Sequence, residues 1–154
     1  KKTLSAIENE ARASRLALDT VLNRHFTLLD SLEDRIYDNE QTLGELIGSL
    51  GGVQVASLKN VSLRFFISNK AELVEFELIS QLLEIEALSN LLTDKYSRIT
   101  DFAYDQVNEP DEEAKMKFAY LLVDIIDVEE TLIEAYAGFL DDHEVKIPQG
   151  NPQE

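Results

Sequence analysis

Side chains that could bind a metal or catalyse a reaction are few in this chain and follow no recognised arrangement. The sequence has two histidines, His25 and His143, and no cysteine. The carboxylate-bridged metal sites of helical bundles use Glu-x-x-His on each of two helices, because that spacing aims both ligands inward. Leu22 and Leu140 stand three residues before the two histidines. The motif is therefore missing, and we predict no metal ligands and no cofactor.

The densest group of potential ligands is the run Asp141-Asp142-His143-Glu144. Consecutive residues of a helix point about 100° apart, so neighbours in sequence rarely converge on one ion. We predict that this run is a solvated helix end. His25 falls on or beside the apolar stripe of the first helical segment, where we predict a half-buried, hydrogen-bonded histidine rather than a metal ligand.

The sequence also lacks the patterns of nucleophilic catalysis and of phosphate binding. A hydrolytic triad needs a nucleophile, a base and a group that orients the base, and the only candidate nucleophiles here are serines in ordinary helical contexts. No Gly-x-Ser-x-Gly elbow, P-loop or dinucleotide-binding fingerprint occurs. Gly44, Gly48, Gly51 and Gly52 lie close together, but no Lys-Ser or Lys-Thr follows them. We therefore predict that the chain is not an enzyme and has no catalytic residues.

Charge restricts the partners that the chain can bind. Its 154 residues include 14 Lys and Arg against 30 Asp and Glu, which gives a formal net charge of −16. A nucleic-acid backbone must be neutralised by clustered basic residues, and an anionic membrane surface repels an acidic domain. We predict protein partners, with a homo-oligomer also compatible, and neither nucleic-acid binding nor direct binding to an anionic membrane.

Apolar residues recur every three or four positions along three long segments, which is the pattern of amphipathic helices. The first segment, Thr3–Ser49, is predicted to be one long helix or two collinear ones. Gly51-Gly52 should end it, because paired glycines suit a left-handed C-cap. The next helix is predicted from Ala71 to about Val107. The last should start near Pro110, which fits the first turn of a helix.

The pattern is less regular between residues 53 and 68. Its second half, from Val61 to Ile67, is rich in β-branched and aromatic residues and could form a short buried strand. An isolated strand would have no pairing partner, so we favour a helix starting near Val53. Ser68-Asn69 is predicted to interrupt the helical pattern and to form the N-cap of the next helix ahead of Glu72.

These segments together predict an all-α fold, an antiparallel bundle of about four helices with a long first helix. That arrangement is the simplest way to bury every apolar stripe. Residues 1–147 should form a single domain and residues 148–154 a flexible tail. Most aromatic side chains are predicted to pack in the core, namely Phe65, Phe66, Phe102, Tyr104, Phe118, Tyr120, Tyr136 and Phe139.

The stretch from Ala17 to Leu43 resembles the first-helix signature of the LemA family. In that signature a Leu-x-Arg-Arg-aromatic-x-Leu-Ile-Pro-Asn-Leu pattern precedes a Tyr…Glu…Thr-Leu segment. The matching positions are Leu22, Arg24, Phe26, Leu28, Leu32, Tyr37, Glu40, Thr42 and Leu43. His25 stands in place of the second arginine, and Asp30-Ser31 in place of Pro-Asn. The resemblance implies a bacterial helical domain anchored to a membrane and lying outside the cytoplasm, with no established enzymatic activity.

Three functions are compatible with these features. The leading one is a non-enzymatic interaction or scaffold domain, the soluble extracytoplasmic part of an anchored LemA-like protein; a cytoplasmic location is the alternative. Long helices with few loops favour it, because catalytic groups usually lie on loops. The second is the ligand-binding bundle of a chemoreceptor or sensor kinase, in which Arg12, Arg15 and Arg24 could bind an anion. The third is an acidic immunity or inhibitor-type protein that binds a basic partner.

Overall fold

The part of the chain that the computed structural model describes, residues 2–38, 40–70, 75–106 and 112–143, is all-α. Its helices are α1 Lys2–Arg35, α2 Leu43–Ser49, α3 Val61–Lys70, α4 Phe76–Gln106 and α5 Glu112–His143. None of the described residues forms a strand. The predicted fold class is therefore confirmed, although the described residues form five helices where the sequence predicted about four.

The two ends of α5 fix the directions of the three long helices. Lys115, near the start of α5, bonds to the carbonyl of Arg35 at the end of α1. Asp142, near the end of α5, accepts a hydrogen bond from Gln81 near the start of α4. Both α1 and α4 pack against α5 along their lengths. Consequently α5 runs antiparallel to each of them, and α1 and α4 run in the same direction.

The first predicted segment is divided into two helices by residues 36–42. α1 ends at Arg35, and a capping box opens α2. The Glu45 N–H donates to Thr42 Oγ1 at 3.0 Å, while the Thr42 N–H donates to Glu45 Oε1 at 2.8 Å. These two bonds satisfy backbone donors that have no partner within the helix. Of the two predicted arrangements over residues 3–49, a single continuous helix is therefore wrong, and two helices are present.

The predicted end of this segment at Gly51-Gly52 is confirmed. Both glycines have left-handed backbone, with φ of +90° and +84°. The Gly52 N–H donates to the Ile47 carbonyl at 2.9 Å, and the Gly51 N–H donates to the Gly48 carbonyl at 3.2 Å. This pair of bonds is a Schellman motif, which satisfies carbonyls that the helix end leaves free. A side chain at either glycine would be strained at these φ angles.

The prediction for residues 53–68 is wrong in its first half. Residues 53–60 have no regular secondary structure, and α3 begins at Val61 rather than near Val53. A strand over 61–67 is excluded as well, because these residues belong to α3. α3 packs between α1 and α4, where Glu10 of α1 accepts bonds from the Ser62 N–H and hydroxyl, each at 2.9 Å. That carboxylate supplies a partner for the N-terminus of α3.

The remaining predicted boundaries differ by a few residues or lie outside the described residues. The predicted break at Ser68-Asn69 falls inside α3, which continues to Lys70. α4 starts at Phe76 rather than Ala71, since Glu75 is not helical. The cap ahead of Glu72, the turn at Pro110 and the tail 148–154 lie outside the described residues. Among the described helices, none combines the length and the apolarity that a membrane crossing requires.

Candidate functional site: a buried polar network and an exposed helix face

His25 is fully buried in the middle of α1, with both ring nitrogens hydrogen-bonded. It is 1% exposed. Its Nδ1 lies 2.8 Å from Glu129 Oε1, and its Nε2 lies 2.8 Å from the Gln54 carbonyl oxygen. Each ring nitrogen therefore has an oxygen atom as its hydrogen-bond partner. The predicted hydrogen-bonded histidine is confirmed, and it is more buried than the sequence predicted.

Glu129 of α5 joins this histidine to α4. Its side chain is 0% exposed, and Tyr96 donates its hydroxyl proton to Glu129 Oε2 at 2.6 Å. The Tyr96 oxygen in turn accepts the Ala56 N–H at 3.3 Å. Burial raises the pKa of the Tyr96 phenol above its usual range, and the negative charge of Glu129 raises it further. Tyr96 is therefore a hydrogen-bond donor here and cannot act as a base.

A second buried polar layer lies nearer the start of α3. Tyr136 donates its hydroxyl proton to Asn60 Oδ1 at 2.6 Å, and Asn60 Nδ2 donates to Ser89 Oγ at 2.9 Å. Ser14, also buried, accepts the Lys59 N–H at 2.7 Å and lies 3.3 Å from the Lys59 carbonyl oxygen. Burial raises the pKa of the Tyr136 phenol as well. This layer connects α1, α4 and α5 to the residues that precede α3.

The two layers explain why residues 53–60 are not helical. Side chains of the long helices bind the Gln54 carbonyl, the Ala56 N–H, and the N–H and carbonyl of Lys59. A helix would use these same backbone groups for its own bonds. His25 and Tyr96 thus hold this segment in place, and Glu129 binds both of them.

Lys115 forms a third buried polar contact, which the sequence analysis did not find. Its side chain is fully buried near the start of α5. Its Nζ donates to the Asp38 carbonyl at 2.5 Å and lies 3.5 Å from the Arg35 carbonyl oxygen. A cation beside these carbonyls is stabilised by the negative end of the α1 dipole. The available signal was its position three residues before the buried Phe118, on the same stripe of α5.

The cluster at the end of α5 does not converge on one point. Gln81 of α4 binds two of its members, donating to Asp142 Oδ2 at 2.8 Å and accepting from His143 Nε2 at 2.6 Å. Asp141 is exposed, in line with the predicted solvated helix end, and Glu144 lies outside the described residues. Within residues 2–38, 40–70, 75–106 and 112–143, no three carboxylates or histidines are placed to hold a metal ion.

The arginines proposed for an anion site lie beside carboxylates. Arg12 and Arg15 line a shallow groove that Asp19 of α1 and Asp141 of α5 also line. Arg12 donates to the Asn9 side chain at 2.9 Å. Two carboxylates at the rim of the groove would repel a bound anion. Arg24 does not line this groove, so the structure does not bring the three arginines together there.

An unexpected feature is the outward face of α4, which is largely apolar although it faces solvent. Leu83 is 45% exposed, Leu91 43% and Phe76 84%, and Ala87 between the leucines is exposed too. At about 100° per residue these four apolar side chains fall within a band of roughly 80°, in which the exposed Ser80 also lies. We call them the α4 outer strip. The buried residues of α4 lie on the opposite side of the helix, so α4 has two apolar faces.

Alkaline pH is expected to destabilise the fold through its two buried phenols. The pKa values of Tyr96 and Tyr136 are raised above 10.0 in the folded chain. The stabilisation from this shift is therefore complete below pH 10 and is lost as the pH rises above it, because the unfolded chain then releases those protons. Urea unfolding at increasing pH should show the decline, and Tyr96→Phe with Tyr136→Phe should flatten it. The exposed Tyr104→Phe serves as control; an equal decline in the double variant would contradict the assignment.

Comparison with known proteins identifies no relative of this chain. No protein-family model, no curated protein and no solved structure matches it. The LemA-like pattern between Leu22 and Leu43 therefore stays a prediction. Evidence for a function comes from the contacts, burial and charge of the described residues.

Proposed function

We propose that this chain is a non-enzymatic helical interaction domain that contacts a protein partner through the α4 outer strip. The observation that carries the proposal is the pair of opposite apolar faces on α4. Single exposed apolar residues are ordinary on a protein surface, whereas aligned ones mark interaction sites. Covering such a strip would contribute about 25 cal/mol for each Å² of apolar surface removed from water.

The buried polar network supports the non-enzymatic part of the proposal. His25, Glu129 and Tyr96 bind one another and the backbone of residues 54–56. A general base must come within hydrogen-bond distance of the substrate proton that it removes. These groups are buried beneath the backbone segment that they bind. Their role is to fix the positions of α1, α4 and α5, which suits a scaffold that presents a surface of constant shape.

We also propose that the bundle is antiparallel with four positions, and that residues 43–70 fill the fourth. The three long helices occupy the other positions. α2 packs against α4, and α3 packs against both α1 and α4. The non-helical residues 53–60 lie between α2 and α3 in the sequence, and side chains from all three long helices bind them. This arrangement reconciles five helices with the predicted bundle of about four.

Two settings for the domain follow from the same features. The LemA-like pattern supports the extracytoplasmic part of a membrane-anchored bacterial protein. The net charge of −16 supports a second candidate, an acidic inhibitor-type protein that binds a basic surface. The glutamates beside the α4 outer strip favour this second candidate, and both settings use the strip to bind a protein.

Photo-crosslinking in the native cells tests the proposal. Leu83 is replaced by p-benzoylphenylalanine, and Leu16 on α1, which is 69% exposed, receives the same replacement as a matched control. We expect one discrete protein adduct at position 83 and none at position 16. The absence of any adduct at position 83 would refute an interaction through this face. Consumption of a metabolite from a cell extract by the purified protein, lost on His25→Gln in a folded variant, would refute the non-enzymatic assignment.

A further inference from the structure

The α4 outer strip lies in the most acidic stretch of its helix. From residue 75 to residue 94 the chain has no Lys, Arg or His. The five acidic residues in this stretch are Glu75, Glu77, Glu84, Glu86 and Asp94. Taking the helix as about 100° per residue, Glu84 lies about 20° beyond one edge of the strip, Glu86 lies about 60° beyond the other, and Asp94 continues the strip within one turn of Leu91. Arg64 Nε lies 3.8 Å from Glu86 Oε2, and both side chains are partly exposed, so this contact offsets little of the Glu86 charge.

We infer that the strip binds a basic amphipathic helix of a partner protein. This inference rests on the proposed function and names the chemistry of the partner. From Phe76 to Leu91 the strip extends for roughly 22 Å along the axis of α4. A second helix can pack along such a row at an axial distance of about 8–10 Å when its own apolar residues recur every three or four positions. Lysines and arginines beside those residues would then meet Glu84 and Glu86.

Electrostatics disfavours a second copy of this chain on the same surface. Two copies would bring net charges of −16 together, and the stretch from residue 75 to residue 94 would face its own carboxylates. Like charges opposed at an interface cost several kcal/mol and slow the encounter. A basic segment reverses both effects, because opposite charges accelerate association and favour the bound state.

Synthetic peptides test the inference with the full chain. The probe is a peptide of about 18 residues with leucine at helical spacing and lysine elsewhere. One comparison peptide has glutamate in place of lysine, and another has the same composition in scrambled order. We expect the amphipathic basic peptide to bind with a Kd of roughly micromolar order. Raising the salt concentration from about 50 mM to about 500 mM should markedly weaken the binding of this peptide. The comparison peptides should bind at least about tenfold more weakly than the basic peptide.

Variants of the strip locate the binding site. Leu83→Glu with Leu91→Glu should weaken binding at least about tenfold, whereas Leu16→Glu on α1 should leave it unchanged. Because these leucines are exposed, we expect the helical circular dichroism to be preserved. Glu84→Lys keeps the apolar surface. It should weaken binding of the basic peptide and strengthen binding of the comparison peptide that has glutamate in place of lysine.

Several results would overturn the inference. They are equal binding of the scrambled peptide, binding unaffected by the double variant, and a dimer in sedimentation that the double variant dissolves. Photo-crosslinks from position 83 to another part of the same chain, in the purified protein, would show that a segment of this chain covers the strip. If an adduct forms in cells but the basic peptide does not bind, the proposed function stands and only the chemistry of the partner is wrong.

Discussion

Replacing Glu129 with alanine is expected to destabilise the fold by roughly 2–6 kcal/mol, because it leaves two buried polar groups without their partner at a cost of about 1–3 kcal/mol each. These two groups are the His25 ring and the Tyr96 hydroxyl, which both bind the Glu129 carboxyl group. Neither can turn to water, because His25 is fully buried and Tyr96 nearly so. Urea unfolding followed by circular dichroism measures the loss as a lower midpoint with an unchanged slope.

The next residue along α5 provides the matched control. Glu130 has the same side chain but is exposed, so Glu130→Ala should change the free energy of unfolding by no more than about 0.5 kcal/mol. Replacing Glu129 and His25 together with leucine should recover much of the loss, since the charge and its partner are removed at once. If Glu129→Ala is as mild as Glu130→Ala, the pair does not hold the three helices together.

The helices that could be predicted from sequence are those whose signal is local. α1, α4 and α5 each bury one stripe along many turns, so the apolar period is visible without knowledge of any neighbour. The end at Gly51-Gly52 was predictable for the same reason, because a left-handed C-cap is a property of the residues themselves. One helix or two were predicted over residues 3–49, but the position of the break after Arg35 was not, although Thr42 and Glu45 have the spacing of a capping box.

The conformation of residues 53–60 could not be predicted because its stabilising partners are distant in sequence. The side chains that bind its backbone belong to Ser14, His25 and Tyr96, between 29 and 45 residues away. No pattern within Val53–Asn60 encodes those bonds. The helix predicted there rested on the lack of a pairing strand, and tertiary hydrogen bonds use the backbone groups that such a helix would need.

Part of the network left a trace in the sequence. Glu129 and Lys115 are charged residues on the buried stripe of α5, which also includes Phe118, Leu122 and Leu132. A charge in such a position predicts a buried partner without identifying it. Pairing Glu129 with His25 requires the register between α5 and α1, which the sequence alone does not supply. The α4 outer strip could not be separated from the buried stripe in the sequence, because its apolar residues recur at the same helical spacing as the buried residues of α4.

Replacing Lys115 with alanine is expected to destabilise the fold by about 2–4 kcal/mol, because it removes a charged hydrogen-bond donor and empties a packed site. The damage should concentrate where α1 ends. Lys115 binds the carbonyls of Arg35 and Asp38 from the start of α5, so it ties the end of one long helix to the beginning of another. Lys115→Met keeps most of the volume and should lose only the part due to the charge, about 1–2 kcal/mol.

Hydrogen exchange separates this local role from general destabilisation. Both variants should increase the exchange rates of the amides in the last turn of α1, relative to the unchanged protein, more than those in the middle of α1. The reason is that the helix end has lost its cation. Lys117, two residues along α5, is exposed, and its Nζ lies 5.3 Å from the centroid of the Phe102 ring. Lys117→Ala should cost no more than about 1 kcal/mol and leave the α1 end protected. Uniform acceleration along α1 in Lys115→Met would show that the lysine supports the core as a whole rather than the helix end.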